Sequence, residues 1–193
     1  MNLLDGFARA ATDAQAVVSV MPSPGAARDR VAAILRADTS RLATISPDAA
    51  APPWSCDATL GAPGTRVVFR SPAHNDRAEL FAANVGVTVA AYGIADTGTL
   101  VLCSSPGDHR LDSLAPPAHI ALLRASALVP DLEAAFARFA ADGRFARHSA
   151  VTFVRGPSRT ADIELQLTIG VHGPGKLYVV VWDDRISMED LRI

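Results

Sequence analysis

From Leu3 to about Val20 apolar side chains recur at helical spacing, and Pro22 to Pro24 then interrupt them. The pattern resumes in AARDRVAAILRAD, with Val31 and Leu35 on one face and charges on the other, so the spacing predicts two N-terminal helices. Between Ser46 and Gly64 it dissolves into Pro, Ala, Gly and Asp around Trp54 and Cys56, which predicts a loop or a lid. From Arg66 the texture changes. RVVFR, VGVTVAAYGIA, TLVLCSS, HIALLRASALV, SAVTFV and LYVVVW are short β-branched or apolar runs set apart by turn residues, the pattern of strands. RAELFAANVG and DLEAAFARFAADGRFARH read as helices between them, the second with Asp131 near its start and Gly143 near its end.

Apolar strands alternating with helices predict an α/β fold with a mostly parallel sheet covered on both faces. At 193 residues the chain suits one domain, with N-terminal helices over 1–40 and an α/β core over 66–193. One segment reads two ways. Ile163, Leu165, Leu167, Ile169 and Val171 alternate as in a strand, yet Asp162 and Glu164 after Ser158 or Thr160 also suit the first turn of a helix.

Composition narrows the class of partner. With 49% hydrophobic and 20% charged residues and a formal net charge of -2, the chain has the make-up of an ordinary globular protein and no basic footprint for nucleic acid. The N-terminus lacks the basic flank and apolar block of a secretory signal, and no window approaches a membrane span of about 20 apolar residues. A cytoplasmic protein without membrane contact is expected. Cys56 and Cys103 are isolated thiols without CxxC spacing, and the histidines show no HxH or HExxH spacing. The two thiols are expected to be buried and inert, and neither a metal nor a cofactor is expected.

Three polar corners hold the candidate chemistry. In IADTGTLV, Asp96, Thr97, Gly98 and Thr99 sit between two apolar runs, offering backbone N–H groups and hydroxyls to an anion, or simply a hairpin turn. In GPSRTADIE, five hydrogen-bonding side chains, Ser158, Arg159, Thr160, Asp162 and Glu164, follow a Gly-Pro corner that needs none of them to turn. Arg159 could clamp a carboxylate, with Asp162 or Glu164 as proton acceptor or as the arginine's own partner; a helix N-cap with a local ion pair uses the same residues. In GVHGPGKL, His172 lies among glycines before the last strand, a candidate for proton transfer or a plain turn residue. SPAHND, residues 71–76, follows a strand where parallel sheets place ligand loops, although its composition also fits a helix start. Neither GxGxxG nor GxxxxGK[ST] occurs.

Taken together, VTVAAYGIADTGTLVL, SLAPPAHIALL and FVRGPSRTADIELQLTIGVHGPGKLYVVV resemble the lactate utilization protein C family, whose module is the LUD domain, over about Val87 to Val181. The N-terminus looks shorter than is usual there. The resemblance implies a three-layer α/β/α fold of the NagB/RpiA/CoA-transferase-like group. It also implies a role in oxidising L-lactate to pyruvate beside partner proteins that carry the iron–sulfur chemistry. The family pattern falls on Asp96, Thr97, Gly98 and Thr99, on His119, on Ser158, Arg159, Thr160, Asp162 and Glu164, and on His172 and Gly173; Asp96 departs from the glutamate common in the family.

The expected protein is thus an accessory or substrate-binding component of an L-lactate oxidation system, with a small carboxylate or other anion bound where ADTGT and SRTADIE meet. Asp96 to Thr99, Ser158, Arg159 and Thr160 would bind it, and His172, Asp162 and Glu164 would be the candidates for proton transfer. The alternative is an independent enzyme of the NagB/RpiA/CoA-transferase-like group acting on a phosphosugar, folate or coenzyme A thioester. A third reading makes the corners caps and contact surfaces of a scaffold.

Overall fold

The computed structural model describes residues 2–38, 40–61, 63–70, 76–104, 110–161, 167–169 and 172–185. Helix α1 (Leu3–Asp13) is capped by the Asn2 side chain, which accepts from the Leu4 N–H, and it leads into strand β1 (Val17–Met21). Ser23 caps α2 (Pro24–Ala37), which starts on Pro24 and precedes β2 (Leu42–Ile45), the short α3 (Pro47–Ala50) and β3 (Arg66–Phe69). Next come α4 (Arg77–Ala82), β4 (Val85–Val89), β5 (Tyr92–Ile94), β6 (Thr99–Ser104) and the short α5 (Leu111–Leu114). The remainder is β7 (Ala118–Arg124), β8 (Leu128–Val129), α6 (Leu132–Ala141), α7 (Arg144–Arg147), β9 (Ala150–Val154), β10 (Arg159–Ala161), β11 (Leu167–Ile169) and β12 (Lys176–Trp182).

Six strands form one parallel sheet in the order β1-β12-β7-β4-β2-β3, as the near-continuous apolar runs predict. One face carries Ile45, Val87, Ile120, Leu122 and Val180 against Val31 and Leu35 of α2. Trp54 and Cys56 pack into this same cluster, and Trp54 meets Trp182 edge-on, so the segment read as a loop or a lid is a cover for the sheet. Burial pushes the Cys56 thiol up to about 11, which leaves it protonated and inert at neutral pH; Cys103 is half-buried.

The other face carries Ala121, Leu123, Val179 and Val181, and what covers it is α1 together with a second sheet, β8-β5-β6-β9. Tyr92, Ile94 and Val101 on the outer side of that second sheet pack in turn against Ala135 and Phe139 of α6. VGVTVAAYGIA and HIALLRASALV each prove to be two strands. In both, the first half (β4, β7) lies in the parallel sheet and the second (β5, β8) crosses into the small one, where the two pair in parallel.

Two N-terminal strands differ from the helical reading. The helix stops at Asp13 because Gln15 takes a φ of +69°, and the β-branched Val17, Val18 and Val20 then pair in parallel with β12 at the sheet edge. β2, hidden in the short run LATI, sits inside the sheet between β3 and β4. The parallel sheet therefore begins at Val17 and not at Arg66. The described parts of the two-way segment are strands, since β10 and β11 pair antiparallel. Of SPAHND, residues 71–75 lie outside the described residues and Asp76 caps α4 by accepting from the Ala78 N–H.

Helix α1 is buried along one face from Leu4 to Ala11. Phe7 and Ala11 are fully buried between the sheets, and two glycines with positive φ press on the helix end. A Cβ on Gly98 (φ +66°) would strike the backbone of Ala10 and Ala11, and one on Gly156 (φ +68°) the carbonyl of Ala14. Gly143 also has a positive φ, +62°, but open space around it. Gly98→Ala should therefore destabilise the fold by about 2–4 kcal/mol, backbone strain and overpacking together, and Gly143→Ala by about 1 kcal/mol from strain alone. Urea denaturation of the two variants checks this, and equal losses would show that α1 is not seated on Gly98.

Candidate functional site

The residues after β9 build one wall of a cavity. Val154 ends the strand, Arg155 follows, Gly156 makes the left-handed turn over Ala14, and the Ser158 N–H donates to the Pro174 carbonyl at 2.8 Å, tying this corner to the loop before β12. That loop is tied in turn to the start of β7, because the Gly175 N–H donates to the Pro117 carbonyl at 2.9 Å. Gly173 lets the two corners close, since a Cβ there would stand 3.2 Å from that of Ser158. Arg110, Ser113 and Leu114 at α5 complete a cavity of about 390 Å³ that also takes in Phe153, Arg159, His172 and Leu177.

His119 forms its inner end. The imidazole is wholly buried at the second position of β7, in register with Gly86 of β4 and Leu177 of β12. Its Nε2 shares a hydrogen bond of 2.8 Å with the Thr88 hydroxyl, and Nδ1 has no partner among the described residues. Burial holds its pKa down to about 4, so the ring is neutral at physiological pH.

Charge in the cavity is one-sided. Arg110, Arg155 and Arg159 line it, and no acidic side chain does so among the described residues. Arg155 Nε donates to the Thr97 carbonyl at 3.0 Å and Arg159 Nη2 to the Ala14 carbonyl at 3.3 Å. Carbonyls fix the direction of a guanidinium without neutralising it, and each arginine keeps further N–H donors for an anion.

Of the residues predicted to bind or react, Ser158, Arg159 and His172 share this cavity. Thr160 lies on β10, opposite Thr168, and Asp162 and Glu164 lie outside the described residues. The turn at Asp96–Thr99 is not brought into the cavity among the described residues, for a physical reason: it is spent on the fold. The Asp96 N–H donates to the Pro130 carbonyl and the Gly98 N–H to the Ile94 carbonyl, the Thr99 hydroxyl donates to that of Thr97, and Gly98 is pressed on α1. Thr97 and Thr99 instead border an apolar groove with Leu132, Phe136 and Phe153. The turn reaches the cavity through Arg155. That residue stands between SAVTFV and GPSRTADIE, where nothing in the pattern marks it, and Arg110, in a stretch without pattern, carries no signal at all.

A second crevice, of about 310 Å³, opens at the carboxyl ends of β4 and β7, where open α/β sheets commonly bind ligands. Arg124 and Arg138 there face Asp48 and Asp142, so its charges balance. Arg138 lies over the Tyr92 ring, whose hydroxyl donates to Asp142, and Arg124 lies over Trp182. Among the described residues, no three His, Cys, Asp or Glu side chains group to hold a metal ion, and no helix is long and apolar enough to cross a membrane.

Fold and cavity together define an α/β protein with a cationic cavity between a parallel sheet and a smaller mixed one. The chain belongs to the LUD domain family, which matches residues 4–182. It is similar to proteins named lactate utilization protein C: 42% identical over 106 residues to that of Bacillus licheniformis, covering 53% of this chain and 44% of the relative. Against the Bacillus velezensis protein it is 34% identical over 142 residues, 72% of this chain and 54% of the relative. The chain thus spans about half the length of the curated relatives it matches. Its backbone resembles the crystal structure of a DUF162 family protein from Deinococcus radiodurans, with a TM-score of 0.66, 26% identity, and coverage of 93% of this chain and 96% of that one.

The buried His119 gives the site a pH signature. Unfolded, the imidazole titrates near 6.5; folded, near 4. Between these values the unfolded chain binds the proton and the folded one does not, so stability falls as pH drops through the window and levels off below about 4. In urea melts from pH 7 to pH 5, the wild type should lose about 1 kcal/mol per pH unit more than His119→Gln does. Parallel pH profiles for the two would show that the histidine is charged or exposed in the folded state.

Proposed function

We propose that the chain is a substrate-binding component of a lactate utilization system, and that it binds lactate or pyruvate in the arginine-lined cavity. The observation that carries this is three arginines in one recess, beside Ser158 and His172, that no acidic side chain lines among the described residues. Arg159 takes the carboxylate through its paired N–H groups, the geometry for which a guanidinium is suited. The Ser158 hydroxyl and the exposed His172 stand at the same corner to meet the neighbouring hydroxyl or keto oxygen, with His172 a candidate for proton transfer. Asp162 and Glu164 are further candidates for that proton.

The lactate assignment draws on the relatives named lactate utilization protein C. Oxidation of lactate releases two electrons, and within the proposal these pass to iron–sulfur partner proteins, as the family resemblance implies; this chain supplies binding and orientation in the cytoplasm. Calorimetric titration tests the site. Wild-type protein should give saturable heats with lactate and with pyruvate, and Arg159→Ala should weaken both at least about tenfold, the loss expected for a charge-assisted pair. Identical heats in the two proteins would remove the arginine from the site.

A further inference from the structure

We propose that, beside lactate or pyruvate, this cavity takes a larger organic ligand that carries at least two anionic groups, carboxylate or phosphate, an inference that rests on reading the cavity as an anion site. Charge is the first ground. Arg110, Arg155 and Arg159 arrive from two segments, Arg110 from before α5 and the other two from the corner between β9 and β10. A single carboxylate forms its bidentate pair with one guanidinium, which leaves the other two in the same recess, with no acidic side chain lining it among the described residues. All three arginines are exposed, so water screens part of the repulsion between them, and a second anionic group on the ligand removes more of it.

Room is the second ground. A cavity of about 390 Å³ has space for roughly a dozen waters at about 30 Å³ each. A hydroxy acid the size of lactate fills only a fraction of that, whereas the volume falls within the range of pockets that enclose larger organic ligands. The walls supply the third. Leu114, Phe153, Pro174 and Leu177 give an apolar lining among the arginines, as a carbon framework joining two charged ends requires. The crevice at the carboxyl ends of β4 and β7 lacks this asymmetry, because its two arginines are matched by two aspartates.

The test is competitive calorimetry on the full chain at low ionic strength with three probes: lactate, succinate and pyrophosphate. Succinate or pyrophosphate should bind at least about tenfold tighter than lactate, the gain expected from one additional charge-assisted contact. Arg110→Ala, a change at an exposed position, should shrink that ratio several-fold, and Arg155→Lys should shrink it less. Tighter binding of pyrophosphate alone points to phosphate groups, and of succinate alone to carboxylates; either supports the inference. Lactate binding as tightly as both dianions, or an unchanged ratio in Arg110→Ala, overturns it while leaving the anion site intact. Absence of binding by all three probes overturns the anion site and this inference with it.

Discussion

The seating of the C-terminal turn of α1 against two glycines organises everything that matters in this molecule. Gly98 belongs to the turn between β5 and β6, and Gly156 to the corner after β9; both adopt left-handed backbone conformations and both lie against the helix end. Side chains at either position would push the helix off the sheet, so the contact is made by backbone on backbone. Two arginines depend on that contact. Arg155 takes its direction from the carbonyl of Thr97, next to Gly98, and Arg159 from the carbonyl of Ala14, the same group that Gly156 approaches. Helix position and guanidinium position are therefore one variable, and the packing of an apolar helix sets the electrostatics of the recess.

This arrangement places the favoured cavity at the amino ends of β7 and β12, between the two sheets, and leaves the usual ligand position at the carboxyl ends to a crevice with balanced charge. The doubled layer on one face explains the choice. After β4 and β7 the chain crosses at once into the small sheet, so the carboxyl ends are occupied by crossings, with Tyr92, Arg138 and Asp142 tied to one another above them. At the amino ends, by contrast, the three corners after β9, before β12 and at α5 meet without an acidic side chain among the described residues. A neutral, buried His119 closes the inner end and adds no positive charge to a recess that already holds three.

Much of the fold was legible in the sequence because β-branched runs separated by turn residues are a local signal. Arg66–Phe69, Thr99–Ser104, Ala150–Val154 and Lys176–Trp182 fall where the apolar runs lie. Val17–Met21 was read as helix because four apolar residues extend a helical spacing by coincidence, and only the partner strand β12, far off in sequence, decides the matter. The division of VGVTVAAYGIA between two sheets was hidden for the same reason, since both halves are equally apolar. Within the site, the surplus of polar groups in GPSRTADIE and the glycines around His172 marked two of the walls. Arg110 and Arg155 carry no comparable mark, because what distinguishes them is a shared recess that no acidic side chain lines among the described residues. The ADTGT turn shows the converse: its composition suits an anion, but its N–H groups are consumed by Pro130 and Ile94.

The central claim is that an anion belongs among Arg110, Arg155 and Arg159. A crystal of the chain soaked in selenate, with the anion located by its anomalous signal, tests that most directly. The account predicts a peak within hydrogen-bonding reach of Arg155 and Arg159, beside Ser158. A peak confined to the crevice of Arg124 and Arg138, with the cavity holding water alone, would contradict it.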